Sequence, residues 1–167
     1  PAEHLYPQAV RHPVMDQITS QDADIAMRAP GFFLPDQHGN VLGLSDFEGK
    51  ILLIALWSPH DPDSVLLLDK LEQVRASLGA RGVQPIAVCL GEDTGAARTF
   101  ALGEAVGYPV VEDWGTYNAP VKSEISPVAN AYRTTLTPKL FVTDRRRTIR
   151  NILVASDSYL GPALDTA

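Results

Sequence analysis

The stretch ILLIALWSPHDPDSVLLLDKL, Ile51 to Leu71, changes its period halfway. Ile51 to Trp57 is an unbroken apolar run, the mark of a strand buried on both faces. From Val65 to Leu78 the apolar residues recur at helical spacing instead. Leu68, Leu71, Val74 and Leu78 share one face, and Gly79 lies just beyond the end. Between the two periods stand Trp57, two prolines and Asp61, a residue suited to cap a helix start. The stretch reads as strand, tight turn, helix.

The same alternation continues on either side. Upstream, Phe32 to Leu34 and Asn40 to Leu44 form a hairpin around the turn Asp36 to Gly39, and Ser45-Asp46-Phe47 gives one helical turn ended by Gly49. Downstream, GVQPIAVCL is a second buried strand. Thr94 to Val106 reads as a helix capped by Asp93 or Thr94, and YPVVED as a short extended segment. Trp114 to Ser126 is an irregular polar and aromatic loop. Pro127 suits the first turn of a brief helix, Val128 to Tyr132, with Ser126 as its cap. PKLFVTD and TIRNILVAS make a hairpin joined by Arg145-Arg146-Arg147, and Tyr159 to Ala167 reads as the stub of a last helix. Residues 1–28 lack a sustained period, apart from a short helix around Pro13 to Gln21. They read as an extension that wraps the domain or reaches a partner, with residues 29–167 as the domain itself. The order of elements predicts an α/β sandwich: a central mixed sheet, parallel at its centre and antiparallel at one edge, between helices.

Composition narrows the class. The chain has 167 residues, 45% hydrophobic and 20% charged, which suits one domain with a sizeable core. Twenty acidic against 14 basic side chains give a net charge of −6, which argues against general nucleic-acid or anionic-lipid binding. No apolar run approaches the roughly 20 residues of a membrane span. The chain opens on Pro1 rather than Met, as removal of a leader or membrane anchor, or trimming of a longer chain, would leave it. Cys89 is the single cysteine, so no intramolecular disulfide forms.

Several strings resemble one family. APGFFLPDQHGNVLGLSDFEGKILLIALWSP is similar to the opening of the redoxin branch of the thioredoxin superfamily, which holds TlpA/ResA-like oxidoreductases and AhpC/TSA peroxiredoxins. That branch runs A-P-x-F-x-L-x-D-x-x-G, then L-S-D-x-x-G-K, then an apolar strand ending in W-A-x-W-C-P-x-C. Ala29, Pro30, Phe32, Leu34, Asp36, Gly39, Leu44, Ser45, Asp46, Gly49, Lys50 and Trp57 match. LTPKLFVTD resembles the branch's G-T-P-x-x-F-x-I-D strand, so Thr137-Pro138 is expected to supply a cis-proline facing the site. The resemblance covers about residues 29 to 155 and implies a thioredoxin-like three-layer sandwich. It also implies an extracytoplasmic location, where TlpA-like proteins mostly act.

The resemblance breaks where chemistry is expected. Alignment on Trp57 and Pro62 puts Asp61 and Ser64 at the two cysteine positions. A working member places a thiolate at the helix start, where dipole and N–H groups lower its pKa. Asp61 is neither a leaving thiol nor a disulfide partner. Cys89 falls mid-strand, where a thiol is inert. Neither disulfide exchange nor peroxidase activity is expected.

Other readings compete for the same residues. His60, Asp61 and Asp63 carry donors that suit Zn²⁺ or Cu²⁺, against a helix cap with acids in the first turn. His60, Asp63 and Ser64 form a nominal hydrolytic trio without an oxyanion-hole pattern. His4, His12 and His38 read as surface histidines. Arg145, Arg146 and Arg147 replace an acidic-glycine turn common in the family and read as a solvated turn or a patch for an acidic partner. Trp114 and Tyr117 either cover a core edge or anchor an interface.

The expectation is a redox-inactive thioredoxin-like domain without cofactor or metal, serving as a protein-binding or structural subunit of a larger assembly. Any membrane association would run through a partner or a removed leader. Its expected contacts are Trp57, His60, Asp61, Thr137 and Pro138, then Trp114 and Tyr117, the N-terminal arm and the three arginines. Two enzymatic alternatives stand beside it: an oxidoreductase of noncanonical chemistry, its thiol supplied in trans, and a metal-binding redoxin at the His60 loop.

Overall fold

Apolar residues that alternate along a central strand need cover on both faces, and this chain supplies two covers. The computed structural model describes residues 26–90, 95–113, 128, 131–133 and 137–154. The hairpin β1 (Phe33–Pro35) and β2 (Val41–Gly43) leads through a 3₁₀ turn, Leu44–Phe47, into β3 (Ile51–Trp57). Then come α1 (Pro62–Leu78), β4 (Val83–Leu90), α2 (Ala96–Gly103), β5 (Val110–Asp113), β6 (Lys139–Thr143) and β7 (Ile149–Val154). The five-stranded sheet runs β5-β4-β3-β6-β7, with β3, β4 and β5 mutually parallel and β6 and β7 antiparallel. This is the predicted mixed α/β sandwich with an N-terminal hairpin.

Side-chain alternation sorts the core into two layers. Leu53, Ala55 and Trp57 of β3, with Ala87 and Cys89 of β4, pack under Leu67, Leu68 and Leu71 of α1 and Ala97 and Ala101 of α2. Leu52, Ile54 and Leu56, with Ile86 and Val88, face Phe32, Leu42, Leu44, Val128 and Tyr132. Tyr132 closes that second layer, meeting Phe141 edge-on at 4.9 Å and donating its hydroxyl to Pro30 O at 2.9 Å. Burial raises the Tyr132 phenol well above its ordinary pKa, so it stays a neutral donor.

Boundaries moved where capping differs from periodicity. Helix α1 begins at Pro62, not Val65, because a proline needs no N–H bond in the first turn. Helix α2 is shorter than predicted. Gly95 stands before it at φ +97, and Ala105 at φ +52 ends it, with Val106 N bonded to Ala101 O at 3.0 Å. Asp93 and Thr94, expected as its cap, lie outside the described residues. So do Trp114 to Pro127, with the cap Ser126, and residues 1–25, with the helix expected around Pro13 to Gln21. The terminal helix stub, Tyr159 to Ala167, falls outside them as well.

One buried amide does the work of a strand. Gln37, 4% exposed in the hairpin turn, donates Nε2 to Tyr108 O at 2.9 Å and accepts Val110 N at 2.9 Å. It gives partners to Val110 N at the start of β5 and to Tyr108 O just before it, groups that would otherwise stay open to pairing.

Candidate functional site

The C-terminal ends of parallel strands, where helices begin, are where this architecture gathers its polar groups. Beyond Trp57 the chain turns through Ser58, Pro59 and His60, with Asp61 N bonded to Ser58 O at 3.2 Å. Asp61, extended at φ −107 and ψ 113, is the N-cap of α1. Its Oδ1 accepts Asp63 N at 3.1 Å, and its backbone carbonyl accepts Val65 N at 3.2 Å.

The two positions aligned with cysteines are bonded to each other. Ser64 Oγ donates to Asp61 Oδ2 at 2.9 Å and accepts Ser58 N at 3.2 Å. Ser64 is fully buried, so its hydroxyl ties the turn to the helix. A hydroxyl already committed to a carboxylate and covered by the fold is not presented as a nucleophile. The hydrolytic trio of His60, Asp63 and Ser64 is therefore not assembled.

Across the sheet, the Thr137–Pro138 peptide is cis, as the resemblance implied. Lys139 pairs with Leu56 in the β3–β6 ladder, so the same register sets Pro138 beside Trp57 and Thr137 beside Ser58. The sequence-predicted residues Trp57, His60, Asp61, Thr137 and Pro138 thus meet at one end of the sheet. They differ in access. His60 is exposed, Asp61 and Thr137 are half-buried, and Pro138 is buried.

Trp57 corrects the reading as a partner contact. It is fully buried, packed on Phe100 at 5.5 Å between ring centres, with Leu53, Ala55 and Cys89 in the same layer. Strand alternation sends it under the helices rather than into the turn. It is a core residue beneath the site. Its indole Nε1 is buried and meets no hydrogen-bond partner among the described residues.

No group of three His, Cys, Asp or Glu side chains converges on a metal-sized point among the described residues. Asp61 spends its carboxylate oxygens on Asp63 N and Ser64 Oγ. Trp114 and Tyr117 lie outside the described residues.

The arginine run sits at the far end of the sheet, not with this site. Arg145 donates Nη1 to Gly49 O and Nη2 to Arg81 O, both at 3.0 Å, stitching the hairpin tip to two neighbouring loops. Arg147 adopts φ +63, the left-handed residue of a turn closed by Arg147 N to Asp144 O at 3.0 Å. Arg146 is exposed. Asp144 holds the turn together, accepting Arg146 N, Thr148 N and the Arg150 guanidinium. Burial pushes the Asp144 carboxyl up. The Thr148 and Arg146 N–H groups and Arg150 more than offset that, holding its pKa below the ordinary carboxylate range.

Sequence reasoning missed the buried polar residues next to the site. Glu112, 9% exposed, accepts Gly95 N at 3.1 Å and Arg98 N at 3.0 Å, so it caps α2 from the neighbouring strand. Asp113, 3% exposed, accepts Val128 N at 2.7 Å. Lys139, 2% exposed, follows the cis-proline directly. A faint signal existed: charged residues at the ends of otherwise apolar strands, where helix N-termini gather.

The strand–turn–helix, the cis-proline and the mixed sheet define a thioredoxin-like fold. Residues 25–152 match the AhpC/TSA family, and the chain belongs to that family. No curated relative matches the chain. Among solved structures, a protein described as the thiol:disulfide interchange protein DsbE of Chlorobium tepidum is 24% identical, with a TM-score of 0.72 over 86% of this chain and 94% of that one. The thioredoxin domain of a Bacteroides vulgatus thiol-disulfide oxidoreductase is 16% identical, with a TM-score of 0.71 over 86% and 98%. A secreted Mycobacterium tuberculosis disulfide oxidoreductase is 16% identical, with a TM-score of 0.63 over 81% and 96%. Against that background this chain has one cysteine, Cys89, buried in β4, and no pair to close into an intramolecular disulfide.

Proposed function

We propose that this chain is a redox-inactive thioredoxin-like domain that binds protein, as a recognition or structural subunit of a larger assembly outside the cytoplasm. The observation that carries the reading is the Asp61–Ser64 hydrogen bond at the two cysteine positions. It keeps the turn and the helix start in place with an acid and a hydroxyl, neither of which exchanges electrons. Cys89, the one sulfur able to do so, is 6% exposed and packed in the core.

The surface left by that substitution suits an extended peptide. The turn Ser58 to Asp61 and Thr137 flank one another at the open end of β3 and β6, and main-chain groups at such an end hold a strand by hydrogen bonds. His60 and Asp61 would set its polarity. The location is supported by analogy alone: the Mycobacterium tuberculosis neighbour is described as secreted.

The test is site-specific photocrosslinking in the native cell. A photoreactive side chain at the exposed position of His60 should give a discrete adduct, and the unmodified protein should migrate above monomer mass under native conditions. A monomer with no adduct from that position would remove the binding reading.

A further inference from the structure

The described acidic and basic residues are not mixed evenly over the molecule, and their separation defines a second surface. Arg145 bonds the carbonyls of Gly49 and Arg81, so Lys50 and Arg81 enter the neighbourhood of the β6–β7 turn. On the other side of that turn Arg28 pairs with Thr148, Ala29 N bonds Arg147 O, and Arg150 follows. The segments involved, residues 26–29, 43–51, 79–83 and 144–150, carry seven of the chain's 14 Lys and Arg against three acids, Asp46, Glu48 and Asp144. Two of those acids are engaged: Asp46 accepts Gly43 N, and Asp144 holds its own turn and Arg150. A local excess of four positive charges thus sits on a chain of net charge −6. Lys50, Arg81, Arg145, Arg146 and Arg150 are all exposed.

We infer that this basic pole docks an acidic segment of a partner protein. Screening confines the attraction to about 8 Å at physiological salt, so a short acidic segment meets the pole without meeting the acidic remainder. A bilayer or a long nucleic acid would face the whole domain and its net negative charge. Among the described residues, the exposed large apolar side chains of Val41, Leu66, Leu102 and Val154 lie off these segments, and the Phe33 ring meets the pole at its margin, against Gly43. The inference stands apart from the groove at Thr137, which lies at the opposite end of the sheet.

The test is fluorescence anisotropy with a labelled oligo-glutamate peptide. The wild type should bind at low ionic strength and lose roughly tenfold in affinity as salt rises several-fold. Arg81→Glu with Arg146→Glu should weaken binding at least about tenfold, and Arg146→Glu alone should weaken it in the same direction. Arg98→Glu, the same charge change at an exposed position on α2, should leave affinity within about twofold. Thermal unfolding checks that each variant is folded. Four results would overturn the inference: no wild-type binding at low salt, undiminished binding by the folded pole variants, an equal loss from Arg98→Glu, or binding to phosphatidylglycerol vesicles but not to the peptide. Failure here leaves crosslinking from His60 untouched, so the two surfaces are judged separately.

Discussion

Helices α1 and α2 both begin where a parallel strand ends, and their first turns are held in opposite ways. Helix α1 is capped from within: Asp61 takes Asp63 N, and Ser64, one turn on, ties Asp61 to Ser58. Helix α2 begins at a glycine with no side chain to offer, and Glu112 reaches across from β5 to bond Gly95 N and Arg98 N. The local cap sits where the family carries reactive sulfur; the remote cap sits where it needs none. In α1 the two positions aligned with the family's cysteines supply the cap themselves, so the helix start is held without sulfur.

The comparison can be broken from its expensive side first. Glu112→Ala leaves two N–H groups without a buried acceptor and should cost about 2–3 kcal/mol, with hydrogen exchange rising first across α2. If denaturation shows Glu112→Ala within experimental error of wild type, the remote cap is not what holds α2. Ser64→Ala should cost about 1–2 kcal/mol, because Ser58 N and Asp61 Oδ2 each lose a partner. Asp61→Ala should cost about 1 kcal/mol, the usual worth of a cap. A double-mutant cycle that finds the two losses simply additive would contradict their coupling through one hydrogen bond.

A third carboxylate sharpens the point at the opposite end of the sheet. Asp144 has a folded pKa below its ordinary value of 3.8, so its contribution is complete above that value. Acid removes it as pH falls through the lower folded pKa. Asp144→Asn should therefore flatten the loss of stability between neutral pH and strong acid, seen in urea midpoints across that range. The smallest effect is expected beside it. Arg147→Gly relieves a left-handed conformation at the cost of backbone entropy and should gain roughly 0.5 kcal/mol. A loss of stability would mean that the Arg147 side chain, not its backbone, matters to the turn.

The same contrast explains what was legible in the sequence. Local signals carried the strand at Ile51, the helix after Pro62 and the cap at Asp61, since each is written within a few residues, while the cis-proline at Pro138 was implied by the family resemblance. The run Ile51 to Trp57 also hid something. An unbroken apolar run does not say which face each residue takes, so Trp57 read as a contact and proved to be core. Glu112 and Asp113 left only a faint signal and Gln37 none, because their partners lie far along the chain, 73 residues away for Gln37 and Val110. A remote cap has no local spelling.

The central claim is that the frame persists without redox chemistry, and insulin reduction with a thiol donor tests it most directly. The wild type should show no turnover above background and should be unchanged by Cys89→Ser. Asp61→Cys with Ser64→Cys should gain turnover on the same frame. Wild-type turnover abolished by Cys89→Ser would contradict the account.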